Sequence, residues 1–219
     1  MAEDSRVWKD RLYGQFARIG KALGSPRRLE MLDLLSQSPK SVESLARELG
    51  SSVANVSQHL QILLEAQLVA TRKQGTFVIY RLANETVAQL LELLETVSEE
   101  CLADVRELRD LYLTQRDALS PVSDRELEAL IQEGTVYLID VRPPSEYAAG
   151  HLPGALSIPL PELAERLQEW DPDRPIVAYC RGRYCLYARD AVEVLRDAGF
   201  SARRSEVGVR EWRRRHSSA

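Results

Sequence analysis

The hydrophobic pattern of this chain changes its period near Leu119-Ser120-Pro121. Before this point apolar residues recur at the spacing of amphipathic helices, and after it short apolar runs alternate with helical stretches. A chain of 219 residues has room for two domains of ordinary size. The pattern therefore predicts a mainly helical domain over residues 1–118 and an α/β domain with a parallel sheet over residues 119–219.

Composition and cysteine usage predict a soluble, cytoplasmic protein. Hydrophobic residues make up 44% of the chain and charged residues 28%, as in ordinary globular proteins. Charges interrupt every long apolar stretch and the N-terminus lacks an apolar signal region, so no membrane association is expected. Three cysteines in such a chain predict free thiols rather than a disulfide framework. The net charge of −4 gives no global sign of nucleic-acid binding, but a local basic patch can still bind DNA.

The first half contains a predicted helix-turn-helix. An amphipathic helix ends before Pro26, which starts a second helix over residues 29–35. Ser41 or a neighbour is expected to cap a third helix over residues 42–49, and a fourth follows over residues 53–65. The fourth helix is apolar on one side and polar on the other, which is typical of a recognition helix.

Two β-rich runs within residues 68–82 flank a basic segment that contains Gly75. This pattern predicts a β-hairpin whose tip carries Arg72 and Lys73, which makes the unit a winged helix-turn-helix.

The first hundred residues or so resemble the ArsR/SmtB family of dimeric transcriptional repressors. The motifs that carry the resemblance are residues 27–32, 44–49, 56–63 and 68–69, followed by the wing. The resemblance implies a homodimer that binds a palindromic double-stranded DNA operator, with the fourth helix in the major groove and the wing on phosphates or in the minor groove. The DNA-binding residues it implies are Ser52, Asn55, Ser57, Gln58 and His59 on the helix and Arg72, Lys73 and Arg81 on the wing. The alternative is that these polar residues form an ordinary solvated helix face.

Metal sensing at the usual sites of this family is not expected. Members that bind arsenite carry a cysteine pair in the third helix, and residues 40–45 contain no cysteine. Members that bind zinc or nickel carry histidines in the last helix, and residues 85–116 contain no histidine. We therefore predict neither a metal nor another cofactor.

Residues 84–116 are predicted to form one long helix with a continuous apolar seam. The seam is longer than one small domain needs, which favours a dimer interface. The resemblance implies that the N-terminal helix also packs in this interface. Cys101 lies on this seam. It is either a small buried apolar residue of the interface or a redox-sensing thiol.

The second half contains a cysteine at the end of an apolar strand. Residues 176–179 are followed by Cys180, a short loop and a helix over residues 186–198. Further helices are predicted over residues 123–133, with Ser123 as cap, and over residues 161–170. Backbone N–H groups of the loop, the positive end of the following helix, Arg181 and Arg183 are all expected to lower the pKa of the Cys180 thiol.

This half, from about Pro121 onward, resembles the rhodanese family of sulfurtransferases. The motifs are residues 140–142, 146–147, 150–155 and 158–159, the strand and loop around Cys180, and Gly208 with Trp212. The resemblance implies that Cys180 takes sulfane sulfur from a donor, holds it as a persulfide and passes it to a thiol acceptor. Asp140, Arg142, Glu146 and His151 would then be structural, with substrate contact as the alternative for Arg142.

The active-site loop has the length of a sulfurtransferase loop rather than that of the related phosphatases. It consists of Cys180 followed by Arg181, Gly182, Arg183, Tyr184 and Cys185. The family pattern is Cys-x-x-Gly-x-Arg, so here the glycine comes one place early and a cysteine replaces the arginine. Cys185 is either an inert helix residue or a resolving thiol that attacks the persulfide of Cys180.

Three functions remain open from the sequence. The first is a DNA-binding repressor whose rhodanese domain senses reactive sulfur or redox state. The second is a thiosulfate or polysulfide sulfurtransferase whose winged helix only autoregulates or localises it. The third and weakest is an arsenic-responsive regulator with a domain similar to arsenate reductase.

Overall fold

The computed structural model describes residues 2–114 and 120–216, which fall into two compact units, Met1–Val97 and Ser98–Ala219. The predicted domain boundary between residues 118 and 119 lies outside the described residues and stays a prediction. Residues 98–114 belong to the second unit. No helix within the described ranges is long and apolar enough to cross a bilayer.

The first unit combines helices with a small antiparallel sheet. Its helices are α1 (Ala2–Leu23), α2 (Pro26–Gln37), α3 (Val42–Glu48), α4 (Val53–Glu65) and most of α5 (Glu85–Cys101). Its strands are β1 (Lys40–Ser41), β2 (Val69–Gln74) and β3 (Phe77–Leu82), in the order β1-β3-β2. This architecture is a winged helix-turn-helix, as the sequence predicts.

Serine caps determine where the helices of the helix-turn-helix begin. The hydroxyl of Ser41 accepts a hydrogen bond from the Ser44 N–H at the start of α3. The hydroxyl of Ser52 accepts one from the Asn55 N–H at the start of α4. Each cap satisfies a donor that has no partner inside its helix.

The wing differs from its prediction in one respect. Arg72 and Lys73 lie within β2, paired with Ile79 and Val78, and not at the tip of the hairpin. The turn lies between Gln74 and Phe77, where Gly75 adopts a φ of +61° that disfavours side chains with a Cβ. The position of this glycine therefore places the basic residues on the strand.

The predicted single helix over residues 84–116 is wrong. Helix α5 ends at Cys101, Leu102 is extended with φ −111° and ψ 113°, and α6 follows over Ala103–Arg109. The Arg106 guanidinium donates to the carbonyl oxygens of Glu99 and Glu100, which replaces hydrogen bonds that a continuous helix would supply. A π-helical turn, Asp110–Thr114, comes next, and the predicted helix end near residue 116 lies outside the described residues.

The second unit contains a four-stranded parallel sheet between helices. Its strands are β4 (Tyr137–Asp140), β5 (Leu156–Ser157), β6 (Ile176–Tyr179) and β7 (Ala202–Arg204), in the order β5-β4-β6-β7. Its remaining helices are α7 (Asp124–Glu133), α8 (Pro144–Ala149), α9 (Leu163–Arg166), α10 (Leu186–Asp197) and α11 (Val209–His216). Side chains alternate between the two sheet faces, so that Ala178 and Cys180 pack towards α10 while Tyr179 packs with Trp212 of α11.

Two local predictions in this unit are corrected. The predicted helix over residues 161–170 is a 3₁₀ turn (Leu160–Glu162), the short α9 and a second 3₁₀ turn (Leu167–Glu169). Pro159 and Pro161 remove backbone donors at its start, which favours tight turns over a regular helix. Ser123 occupies the N-cap position of α7, but its side chain makes no capping hydrogen bond.

Candidate active site and DNA-binding surface

Cys180 lies directly after β6, at the carboxyl end of the parallel sheet. Strands β4 and β6 are neighbours and pair Asp140 with Tyr179, so the residues that follow both strands meet at this edge. The Cys180 side chain is buried, with only 2% of the residue exposed. Cys185 occupies the N-cap position of α10 and is half-buried.

The two cysteines of the loop form a hydrogen-bonded pair. The Cys180 Sγ lies 3.4 Å from the carbonyl oxygen of Cys185 and also hydrogen-bonds the Cys185 thiol. Burial raises the pKa of the Cys180 thiol, and the hydrogen bond to Cys185 raises it further. Backbone hydrogen bonds from Ala188 and Gly182 act in the opposite direction but do not outweigh burial. The expectation of a lowered pKa for Cys180 is therefore wrong.

Cys185 is the thiol of this pair that ionises near neutral pH. The hydrogen bond from Cys180 is the largest effect, and together with backbone hydrogen bonds from Arg181 and Tyr187 it lowers the pKa of Cys185 to about 7. Burial acts against this shift without cancelling it. In this arrangement Cys180 is the proton donor and Cys185 the thiolate.

Removing the Cys180 thiol is expected to raise the pKa of Cys185. Alkylation of Cys185 by iodoacetamide depends on its thiolate, so in the wild type its rate should rise with pH through a midpoint near 7. In Cys180→Ala the stabilising donor is lost and the midpoint should move up towards the ordinary thiol value of about 8.5. Cys180→Ser keeps a hydrogen-bond donor at this position and should shift the midpoint less than Cys180→Ala does. An unchanged midpoint in Cys180→Ala would contradict this assignment.

The two arginines of the loop are each paired with a carboxylate. Arg181 donates to both oxygens of the buried Glu146, at 3.0 and 2.6 Å. Arg183 donates to Glu99 Oε2 at 3.0 Å. These carboxylates offset the positive charge expected to lower the pKa of Cys180, which helps explain why burial prevails.

Glu99 joins the last turn of α5 to the cysteine loop within the second unit. Its Oε2 also accepts a hydrogen bond from the Tyr184 hydroxyl at 2.9 Å, and its Oε1 pairs with Arg109. Burial raises the pKa of Glu99, but the hydrogen bonds from Tyr184 and Arg183 and the nearby positive charges outweigh it, so the net pKa is lowered. Sequence reasoning did not identify Glu99, because no local motif marks a contact between residues 85 positions apart.

Asp140 and Arg142 form a fully buried ion pair beneath the site. The Arg142 guanidinium donates to both carboxylate oxygens of Asp140, with the shortest contact at 2.6 Å, and also to the Gly150 carbonyl at 2.8 Å. Burial favours the neutral form of Arg142, but the hydrogen bonds and charge of Asp140 reverse this effect and raise its pKa. The Tyr179 hydroxyl also hydrogen-bonds Asp140. The pair thus joins β4 to the loop that carries Gly150.

His151 lies on the surface and contacts Tyr147 of α8. Its ring stacks on the Tyr147 ring at 3.9 Å between centroids, and its Nδ1 lies 3.1 Å from the Tyr147 carbonyl oxygen. The Tyr147 hydroxyl in turn donates to the Ala155 carbonyl. These contacts connect the two ends of the turn-rich segment between β4 and β5.

The C-terminal glycine motif packs directly under the cysteine loop. A Cβ on Gly208 would lie 2.7 Å from backbone atoms of Arg181 and Gly182, so only glycine fits there. Gly182 has a φ of +139°, and a Cβ on it would approach Glu211 Oε1 to 2.9 Å. Glu211 also accepts a hydrogen bond from the Gly208 N–H. The early glycine of the loop is therefore explained by its close approach to α11.

The predicted DNA-binding residues fall on α4 and the wing of the first unit. Asn55, Ser57 and Gln58 are exposed, while Val56, Leu60 and Leu63 are buried on the opposite face of α4. Arg72 and Lys73 are exposed on β2, which packs against α4. One polar helix face and one basic strand are thus available to a duplex.

Two of the predicted DNA-binding residues, Ser52 and Arg81, make local hydrogen bonds, and a third, His59, is half-buried. The Ser52 hydroxyl caps α4. His59 is half-buried, and its Nδ1 has no hydrogen-bond partner. The exposed Arg81 donates to the carbonyl oxygens of Leu82 and Ala83.

The remaining candidates concern metals and the third thiol. Among the residues that the structure describes, no three His, Cys, Asp or Glu side chains are grouped so that they could hold a metal ion. Cys101 is exposed in the single chain, at the last residue of α5.

Two family models match the chain, one in each unit. Residues 25–71 match the bacterial regulatory proteins of the ArsR family, and residues 123–215 match the rhodanese-like domain. The matched regions are the helix-turn-helix with the start of β2, and the parallel sheet with its cysteine loop. The chain belongs to the ArsR-family transcriptional regulators that carry a C-terminal rhodanese-like domain.

One relative of nearly the same length matches this chain across both units. The HTH-type transcriptional regulator Rv0324 of Mycobacterium tuberculosis is 47% identical over 206 residues, which is 94% of this chain and 90% of that protein. Among solved structures, the homodimeric winged helix-turn-helix DNA-binding domain of Mb0332 from Mycobacterium bovis is 43% identical, covering 44% of this chain and 89% of that one, with a TM-score of 0.42. The human single-domain sulfurtransferase TSTD1 is 33% identical, covering 43% of this chain and 96% of its own, with a TM-score of 0.35.

Proposed function

We propose that this regulator is a homodimeric repressor that responds to reactive sulfur through a persulfide formed on Cys180. The observation that carries the proposal is the Cys180–Cys185 thiol pair at the carboxyl end of the sheet, in a loop that Glu99 of α5 contacts. The pair supplies a nucleophile with an adjacent base, and Glu99 supplies a connection from the loop to α5.

The first chemical step uses Cys185 as a base. The Cys185 thiolate takes the proton of the Cys180 thiol while the Cys180 sulfur attacks the sulfane sulfur of a donor R–S–SH. A Cys180–sulfur bond forms, the S–S bond of the donor breaks, and RS⁻ leaves. The products are a Cys180 persulfide and a neutral Cys185 thiol, so neither an oxidant nor a reductant is required.

The persulfide then has two fates. An external thiolate can attack its outer sulfur and carry it away, which regenerates Cys180. Alternatively, after Cys185 has lost its proton again, its thiolate can attack the Cys180 sulfur, forming a Cys180–Cys185 disulfide and releasing HS⁻. Both reactions are exchanges between thiols and sulfane sulfur, so neither requires a further oxidant or reductant.

The signal is proposed to pass from the loop to α5 through Glu99. An added sulfur atom enlarges a buried side chain, so the loop must shift to accommodate it. Arg183 and Tyr184 are the loop residues that hydrogen-bond Glu99, and a shift of the loop would change those contacts. Helix α5 begins in the DNA-binding unit, so a change at its last turn can alter operator affinity.

Dimerisation and operator binding are supported by the surfaces of the first unit. Large apolar side chains remain exposed on α1 and α5 of the single chain, which favours burial against a second copy. They include Trp8, Phe16, Leu93 and Val97. A two-fold dimer would present two copies of α4 to the half-sites of a palindromic operator.

A sulfurtransferase whose winged helix serves only autoregulation is the second candidate. It is favoured by the same thiol pair, since that chemistry does not require coupling to DNA. An arsenic-responsive function has less support, because the loop is short and residues 40–45 contain no cysteine.

The sensing hypothesis is tested by DNA binding of reduced and sulfur-treated protein. The probe is a duplex from the region upstream of the protein's own gene, and the treatment is inorganic polysulfide. We expect wild-type affinity to change at least about 5-fold, the lower end of usual allosteric coupling. Cys180→Ser should abolish the response and Cys101→Ser should keep it. If the operator affinity of the sulfur-loaded wild type is unchanged, the sensing function is excluded and the sulfurtransferase function remains. If the response depends on Cys101 alone, the rhodanese-like domain is not the sensor.

Glu99→Ala is expected to separate sulfur loading from DNA release. The substitution removes the acceptor of Arg183 and Tyr184 but leaves both cysteines in place, so Cys180 should still gain sulfur. The difference in operator affinity between reduced and loaded protein should fall below about 2-fold, since the connection is lost. Glu100→Ala is the matched control, because this exposed neighbour on the same helix turn should keep the wild-type response. A full response in Glu99→Ala would exclude this route.

A further inference from the structure

A cleft of about 390 Å³ lies in the second unit, lined by residues that follow β4, residues that follow β5 and Tyr187 of α10. Its walls are formed by Val141, Leu160 and Tyr187, with four prolines between residues 143 and 161 and one acidic side chain, Glu162. The volume lies within the range of small-molecule sites. Most of this lining is therefore apolar, and its only formal charge is negative.

The cleft is connected to the reactive cysteine through its lining residues. Val141 belongs to the same buried cluster as Cys180. Its N–H donates a hydrogen bond to the carbonyl oxygen of Tyr179, the residue directly before Cys180. Tyr187 lies two residues after Cys185, and its ring centre is 5.4 Å from the Arg181 guanidinium. A molecule in the cleft would thus lie next to the loop that carries both thiols.

The charges around the loop do not favour a dianionic donor. Arg181 is engaged by Glu146 and Arg183 by Glu99, so both cations beside Cys180 have carboxylate partners. Glu211 approaches the loop at Gly182. The family arginine at the end of the loop is replaced by Cys185, which carries negative charge when ionised. A sulfonate group such as that of thiosulfate would compete with these carboxylates for each arginine.

We propose that the sulfur donor is an organic hydropersulfide, R–S–SH, whose R group is apolar and uncharged and binds in this cleft. The proposal rests on the function proposed above, in which Cys180 carries sulfane sulfur. The cleft binds R by apolar burial against Tyr187, Leu160 and the prolines, and the outer sulfur of the donor faces the loop. Attack by Cys180 transfers that sulfur and releases R–S⁻, while Cys185 takes the thiol proton.

The test compares donors that share the reacting group but differ in R. Benzyl hydropersulfide has an apolar R group, 2-carboxyethyl hydropersulfide has a charged one, and thiosulfate supplies the dianion. The rate at which the Cys180 peptide gains one sulfur atom is followed by mass spectrometry on the full chain. We expect benzyl hydropersulfide to load Cys180 at least about 10-fold faster than the carboxyethyl donor, the effect of burying one aromatic ring. Thiosulfate should be the slowest of the three.

A substitution in the cleft checks where the preference arises. In Tyr187→Ser the benzyl donor should lose most of its advantage, while the rate with the carboxyethyl donor should change little. Tyr187 is exposed, so this change is not expected to unfold the protein. Leu156→Ser, at an exposed apolar residue that does not line the cleft, should keep the wild-type preference.

The outcomes separate this inference from the function on which it rests. Loading that is equal for both hydropersulfides, or fastest with thiosulfate, would overturn the donor class and leave the persulfide function standing. An advantage of the benzyl donor that persists in Tyr187→Ser would overturn the cleft as its binding site. Failure of all three donors to load Cys180 would overturn both proposals.

Discussion

Cys180→Ser is expected to lose all persulfide formation in the rhodanese-like domain. Serine keeps the shape of the side chain and a hydrogen-bond donor for Cys185, but its oxygen cannot carry sulfane sulfur under these conditions. After treatment with inorganic polysulfide, peptides that contain residue 180 should show no added sulfur by mass spectrometry, whereas the wild type should show one sulfur atom.

The neighbouring cysteine provides the comparison for this prediction. Cys185→Ser should still load sulfur on Cys180, but the rate near neutral pH should fall by about 10²-fold or more because the base is lost. Cys185→Ser should also form no intramolecular disulfide. In the wild type this disulfide is detected as a decrease in mass by two hydrogen atoms. Loading in Cys180→Ser that occurs on Cys185 instead would reverse the roles assigned to the two thiols.

Arg142→Leu is expected to cause the largest loss of stability among single changes near the site. It would leave the carboxylate of Asp140 buried without its cation, and breaking a buried pair in this way costs about 3–5 kcal/mol. The loss should be measured as a lower urea midpoint for the second unit, followed by the fluorescence of Trp170 and Trp212. Since ordinary domains are stable by only about 5–15 kcal/mol, this loss removes a large share of the total stability.

Two further variants distinguish loss of the ion pair from loss of an arginine side chain. Arg125→Leu, at an exposed position of α7, should change stability by no more than about 0.5 kcal/mol. Asp140→Leu combined with Arg142→Leu should be less harmful than Arg142→Leu alone, because no unpaired charge remains. If Arg142→Leu were as stable as the wild type, solvent would have to reach the Asp140 carboxylate and replace the arginine.

Local signals in the sequence predicted most of the DNA-binding unit correctly. A cap at Ser41 or a neighbour is expected from the position before an apolar helix, and the Ser41 hydroxyl makes this hydrogen bond. The wing follows from two β-rich runs around Gly75. These features depend on neighbours within a few positions, which a linear pattern contains.

Two helix bounds that the apolar period alone does not encode were predicted wrongly. The helical period continues through Leu102, but Arg106 reaches back to the carbonyl groups of Glu99 and Glu100 and stabilises the end of α5 there. The 3₁₀ turns around α9 interrupt a region whose periodicity resembles one helix. In the first case a side chain six and seven positions further along the chain ends the helix, and in the second Pro159 and Pro161 favour tight turns.

The order of a winged helix-turn-helix and a parallel α/β domain, with Cys180 at the end of a strand, can be predicted without a structure because period, caps and turns are encoded locally. Which thiol ionises depends on the folded arrangement. A pKa depends on burial and on partners brought together by folding, and here burial of Cys180 and the pairing of Arg181 and Arg183 with Glu146 and Glu99 leave Cys185 as the thiolate.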